Sequence, residues 1–152
     1  MSVSIYNDVF FMREALAEAR KAFDAGDVPV GAVVVSEGEI IARAHNAREN
    51  GGSAINHAEL MAIDEACKAK GGWRLSNCTL YVTLEPCPMC AGAVINSRIS
   101  RVVYGAKDAR AGAFGSLIDL RSYPFNHKPL CDSGVLSAEC VDILRSFFAK
   151  KR

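Results

Sequence analysis

The chain has 152 residues, half of them hydrophobic, enough for one compact domain with a genuine core. Its formal charge is +1, from 18 Lys and Arg against 17 Asp and Glu, so no global basicity marks a nucleic-acid binder and any RNA contact must come from a local patch. No apolar run of roughly eighteen residues occurs, which excludes a transmembrane helix; the N-terminal stretch lacks the basic and apolar regions of a signal peptide, so secretion is not expected and the cytosol is the expected location.

In chain order, Asn7-Asp8 can cap a helix running to about Asp24, with Phe11, Ala15, Leu16, Ala19 and Phe23 at helical spacing and Gly26 ending it. Val30-Gly-Ala-Val-Val-Val reads as a buried strand, Glu37-Gly38 as a hairpin turn, and Glu39 to Ala44 as the returning strand. Asn46 to Asn56 is polar and Gly-rich, a loop. A helix starts near His57, carries Leu60, Ala62, Ile63 and Ala66, and stops at Gly71-Gly72. Thr79 to Leu84 is a third strand. Pro88 opens a short helix through Val94, proline being favoured at the first helical position. Arg101-Val-Val-Tyr-Gly is a fourth strand, and Cys140 to Phe148 is a closing amphipathic helix. A hairpin followed by alternating helices and strands predicts an α/β sheet with helices on both faces.

Six cysteines sit at 67, 78, 87, 90, 131 and 140, and only Cys87 and Cys90 are close in sequence. The expectation is free thiols, with Cys67 and Cys78 acting as small hydrophobes, and one metal site. Two motifs carry it: His57-Ala58-Glu59 and Pro86-Cys87-Pro88-Met89-Cys90. One His and two Cys make three zinc ligands, and three protein ligands with a position left for water is the pattern of a catalytic site. The helix opened by Pro88 would lower the pKa of both thiols and hold them as thiolates. Zinc so held lowers the pKa of its water to about 7, and Glu59 beside it can carry the protons of a hydrolysis. Residues two apart in a helix point to nearly opposite sides, so His57 and Glu59 can share one site only at a helix end. Alone, C-x-x-C fits structural zinc or a redox pair, and H-x-E says little. A non-catalytic RNA-binding or structural zinc module would have no use for a carboxylate at Glu59.

Together, H-x-E and P-C-x-x-C are the signature of zinc deaminases. From Met12 onward the chain resembles the bacterial tRNA-specific adenosine deaminases, within the cytidine deaminase-like superfamily. The segments that carry the likeness are His57-Ala-Glu-Leu-Met-Ala-Ile, Thr83-Leu-Glu-Pro-Cys-Pro-Met-Cys-Ala-Gly-Ala-Val, Arg101-Val-Val-Tyr-Gly-Ala-Lys-Asp-Ala-Arg, Gly112-Ala-Phe-Gly-Ser-Leu and Phe125-Asn-His. The resemblance implies a single domain over residues 1–152 with a three-layer α/β/α fold and a central mixed sheet of about five strands. It implies deamination of adenosine to inosine at the wobble position of a tRNA anticodon stem-loop, with one zinc per subunit on His57, Cys87 and Cys90, and Glu59 as proton shuttle. It also implies a homodimer and no organic cofactor. Asn46, Asp108 and Phe148 would contact the RNA. The basic candidates for an RNA patch are Arg98, Arg101, Lys107, Arg110 and the tail Lys150-Lys151-Arg152; His127 reads as structural. Asn56 and Phe114 depart from the family pattern, both at positions where it is usually small. The competing expectation is a deaminase of a free base or nucleoside, of guanine or cytosine type, with the same zinc site.

Overall fold

The computed structural model describes residues 5–150. Helix α1 (Ile5–Asp24) leads into the hairpin of β1 (Gly31–Ser36) and β2 (Glu39–His45). A one-turn helix, α2 (Arg48–Gly51), precedes α3 (Ala58–Lys70), β3 (Cys78–Leu84), α4 (Pro88–Ser97) and β4 (Arg101–Ala106). A 3-10 turn (Leu120–Ser122), β5 (Leu130–Ser133) and α5 (Ser137–Lys150) complete the chain order. The five strands form one mixed sheet, β2-β1-β3-β4-β5. β1 is antiparallel to both β2 and β3, whereas β3, β4 and β5 run parallel.

Side chains alternate across a strand, so each strand feeds two layers. Ala32, Val34, Leu80, Val82, Val102 and Tyr104 meet Ala58, Ala62 and Ala66 of α3 and Ala91 and Val94 of α4 on one face. Val33, Val35, Tyr81 and Val103 meet Phe11, Met12 and Ala15 of α1 and Cys140 of α5 on the other. All six residues of β1 are buried, which is why it reads as a continuous apolar run. Gly31 is required by contact: a Cβ there would run into the Ala15 carbonyl and the Ala19 backbone nitrogen, so α1 lies directly on the strand. No described helix is long and apolar enough to cross a membrane.

The expected elements are present, with altered ends. α1 begins at Ile5, so Asp8 lies inside the helix and is not its cap. Asp8 is buried and accepts from the two terminal guanidinium nitrogens of Arg101, at 2.9 and 2.8 Å, and from the Tyr81 hydroxyl at 2.7 Å. α4 runs to Ser97, where Arg98 takes a left-handed turn (φ 65°). α5 starts at Ser137, three residues before Cys140. The stretch from Asn46 to Asn56 contains α2 as well as loop.

Candidate active site

Two helices begin at the same place. His57 is the residue before α3 and Cys87 the residue before α4, and both have extended backbone, φ −81° ψ 145° and φ −74° ψ 174°. The extended turn at His57 lets it and Glu59 face one site despite their spacing of two. Asn46, at the end of β2, accepts the Ala58 N–H at 2.8 Å and so ties the start of α3 to the sheet.

The His57 Nδ1 lies 3.7 Å from the Cys87 Sγ and 3.5 Å from the Cys90 Sγ, and all three donor atoms fall within 4.8 Å of one another. A tetrahedral zinc with bonds of about 2.3 Å to sulfur and 2.0–2.1 Å to nitrogen separates those atoms by roughly 3.6 Å. The donor set therefore fits zinc in chemistry and in spacing. Among the described residues no other cluster of His, Cys, Asp or Glu is placed to hold a metal, and all six cysteines are free thiols.

The protein sets the electrostatics before any ion binds. Burial pushes the Glu59 carboxyl up to about 7, with the charge on Cys87 adding to the rise and His57 opposing it. The hydrogen bond from Cys90 draws the Cys87 thiol down to about 4, with His57 and the Cys90 backbone N–H helping against burial. Cys90 moves the other way: it donates to Cys87 and is buried beside Glu59, so its thiol is pushed far up. Before an ion binds, the negative charge sits on Cys87 and the proton on Cys90. A second negative charge in this pocket needs a cation beside it, so metal binding releases the Cys90 proton.

A cavity of about 190 Å³ opens over the site, lined by Asn46, His57, Glu59, Cys87, Asp108 and Arg48 among others. That is small beside the roughly 300–1,000 Å³ of clefts that take drug-sized ligands, and suits a single base-sized ring. A shallower groove of about 880 Å³ adjoins it, sharing Val28, Arg48, Leu84 and Asp108. Its wall carries Arg48, Lys107, Arg110 and Arg145 against the one acid Asp108, with half-exposed Phe148 at its side.

The residues expected at the site are brought together: the three donors cluster, His57 and Cys87 line the cavity with Glu59, Asn46 and Asp108, and Phe148 lines the groove. Phe147 is buried instead, its ring centroid 5.9 Å from that of Phe23. The basic patch needs correction. Arg101 is consumed by Asp8 and by Asp132 at 2.9 Å. Arg98 sits at the far end of α4, about 15 Å of helix from Cys87, and donates to the Ile95 carbonyl at 2.8 Å. The Lys150 ammonium lies over the Phe23 ring, 4.9 Å from its centroid, and Lys151-Arg152 fall outside the described residues. His127 donates to the Ile99 carbonyl at 2.6 Å, as a structural histidine does. Arg48, Arg145 and Glu85 went unnoticed in the sequence. Only Glu85 carried a signal, since a carboxylate at the end of an apolar strand must find partners when buried.

A hydrogen-bonding pocket with a three-donor zinc set at the N-termini of two helices, on this mixed sheet, defines a zinc-dependent deaminase. The model of the cytidine and deoxycytidylate deaminase zinc-binding region matches residues 5–106. Within that class the chain belongs to the tRNA-specific adenosine deaminases: it is 56% identical over 146 residues to that enzyme of Bacillus subtilis (strain 168), covering 95% of this chain and 91% of the relative. It is 45% identical to the tRNA-specific adenosine deaminase of Streptococcus pyogenes serotype M1, over all of this chain and 90% of that one. A solved structure from studies of A-to-I editing by tRNA:A34 deaminases at the wobble position superposes with a TM-score of 0.84 at 43% identity, over 89% of this chain and 99% of that chain. A guanine deaminase from Nitrosomonas europaea shares the architecture at 25% identity, TM-score 0.81, over 93% of this chain and 84% of that one.

Proposed function

We propose that residues 1–152 form one deaminase domain that converts the wobble adenosine of a tRNA anticodon loop to inosine in the cytoplasm. The observation that carries this reading is the continuity of a cavity sized for one base, with Glu59 among its lining residues, and a groove walled by four cationic side chains. A base presented by an unstacked loop can enter the cavity while its flanking phosphates lie along the groove.

His57, Cys87 and Cys90 would hold the zinc, which when bound supplies a Lewis acid and a water activated at neutral pH. Glu59 then moves the protons. Its carboxylate takes a proton from the attacking water and gives it to the ring nitrogen beside C6, then takes the remaining proton of the new C6 hydroxyl and gives it to the departing amine. The C6–N bond breaks, ammonia leaves, and the base becomes hypoxanthine. A carboxyl held near neutrality by burial is suited to both directions of transfer. Asn46 hydrogen-bonds the nucleoside, Asp108 meets the backbone or a flanking nucleotide, and Phe148 offers a stacking face at the groove.

The enzyme works as a homodimer in this reading. Met89 on α4, and Leu117, Ile118, Tyr123 and Phe125 flanking the 3-10 turn that packs on that helix, are large apolar side chains left exposed, which supports this reading.

The test is a side-by-side assay of the zinc-loaded protein on an anticodon stem-loop with wobble adenosine, free adenosine, cytidine and guanine. Inosine in the stem-loop alone is the expected result. Turnover of a free base with the stem-loop untouched would overturn the substrate assignment and leave the zinc chemistry standing.

A further inference from the structure

Glu85 is an acid with no part in the proton transfers, yet it is 2% exposed and immediately precedes Pro86-Cys87. Its partners all come from one segment, the loop after β4. Oε1 accepts the Asp108 N–H at 3.1 Å and the Ser116 hydroxyl; Oε2 accepts the N–H groups of Phe114 and Ser116, each at 3.1 Å. The loop is shaped to it. A Cβ on Gly112 would strike the Glu85 carboxylate, so glycine at that position lets the loop fold over the acid. The Ala113 N–H bonds the Pro86 carbonyl at 2.9 Å, and the Glu85 N–H bonds the Ala106 carbonyl at 2.9 Å, stitching the same two segments.

We infer that Glu85 is a positioning residue for substrate recognition: its carboxylate gathers the loop from Asp108 to Ser116 and fixes Asp108 at the mouth of the nucleoside cavity. The inference rests on the proposed role of the cavity in taking the target base. Its physical content is a link between two functions. One end of the Glu85 segment carries the zinc donor Cys87, and the side chain carries the wall against which the nucleotide is read. A charged acceptor with four donors also resists rearrangement, because a neutral or shorter side chain cannot satisfy all four.

Glu85→Gln is a selective probe. The amide oxygen can replace only one carboxylate oxygen. At the Oε2 position it retains Phe114 and Ser116, and the amide NH2 then faces the Asp108 N–H, donor against donor, while the Ser116 hydroxyl turns to accept. Asp108 alone is released.

The experiment compares wild type, Glu85→Gln, Asp108→Ala and the double variant on the wobble-adenosine stem-loop, with zinc content measured for each. The expected result is unchanged zinc, kcat within about threefold, and KM raised about tenfold in Glu85→Gln, the loss of one charge-assisted hydrogen bond. In the Asp108→Ala background the same change adds less than about twofold, because the two act as one unit. An unchanged KM, or effects that simply multiply, would overturn the inference. Amide hydrogen exchange on the wild-type holoenzyme judges it independently of any variant's folding. Strand-like protection at Asp108, Phe114 and Ser116 is expected, and an unprotected Asp108 amide would refute the clamp. If wild type leaves the stem-loop untouched, the substrate reading fails, and the exchange data still decide on Glu85.

Discussion

Glu59 and Asp8 are both buried carboxyls, and their partners send them opposite ways. Burial raises Glu59 to about 7, near the pH at which a proton can be both taken and given. Glu59→Gln should keep its zinc and lose turnover by about 10²–10⁴-fold; metal analysis alongside single-turnover inosine formation checks it, and a rate within a few fold of wild type would remove Glu59 from the proton path. Burial would raise Asp8 too, but the hydrogen bonds from Arg101 and Tyr81 and the Arg101 charge outweigh it and hold the carboxyl below the usual range. A depressed folded pKa contributes stability above the unfolded value, and that contribution is lost as pH falls through the folded one. Asp8→Asn should therefore flatten the loss of stability below about pH 4. Asp8→Ala, which leaves Arg101 without its buried partner, should cost about 3 kcal/mol, a fall in Tm of roughly 6–12 °C. Thermal melts at pH 3 to 7 read both.

Among the elements, α1 and β1 show how closely layers are set. Gly31→Ala would push a methyl group into the α1 backbone, so it should destabilise by about 1–3 kcal/mol while leaving the zinc stoichiometry intact; urea titration with metal analysis measures it. This contact also marks where sequence reading stops. Strands such as β1 and β3 were legible because burial on both faces leaves a near-continuous apolar run. β5 was not: Leu-Cys-Asp-Ser is four residues long, mostly exposed and follows Pro129 at the sheet edge, and only its pairing with β4 makes it a strand. The start of α1 was misread because the partner of Asp8 lies 93 residues away. The zinc donors and Glu59 were legible because their spacing is local chemistry. Glu85, Arg48 and Arg145 were not, since a side chain that holds a distant loop or lines a groove leaves no local pattern.

For the whole molecule, the near-neutral net charge conceals an uneven distribution. Four cations line the groove, so binding of a single-stranded loop should show log K falling with log salt at a slope of about −3, taking roughly −0.7 per neutralised phosphate. Arg145→Ala should make that slope shallower by about 0.7 while leaving zinc content untouched. Filter binding from 50 to 300 mM salt tests this, and an unchanged slope would take Arg145 out of the RNA surface. The fold supplies the chemistry from residues 57 to 90 and most of the groove from residues 107 to 148, which is why free-base and RNA enzymes can share this sheet.

The pairing of Cys87 and Cys90 has a redox consequence. Without a cation, Cys87 is a thiolate at neutral pH, within 4.8 Å of a second sulfur. A thiolate beside another thiol is the starting point for disulfide formation wherever an oxidant is at hand. The ion that serves catalysis therefore also acts as a protecting group. Stripped of zinc in air, the protein should oxidise and fail to recover on re-metallation; stripped under reductant, it should regain full activity.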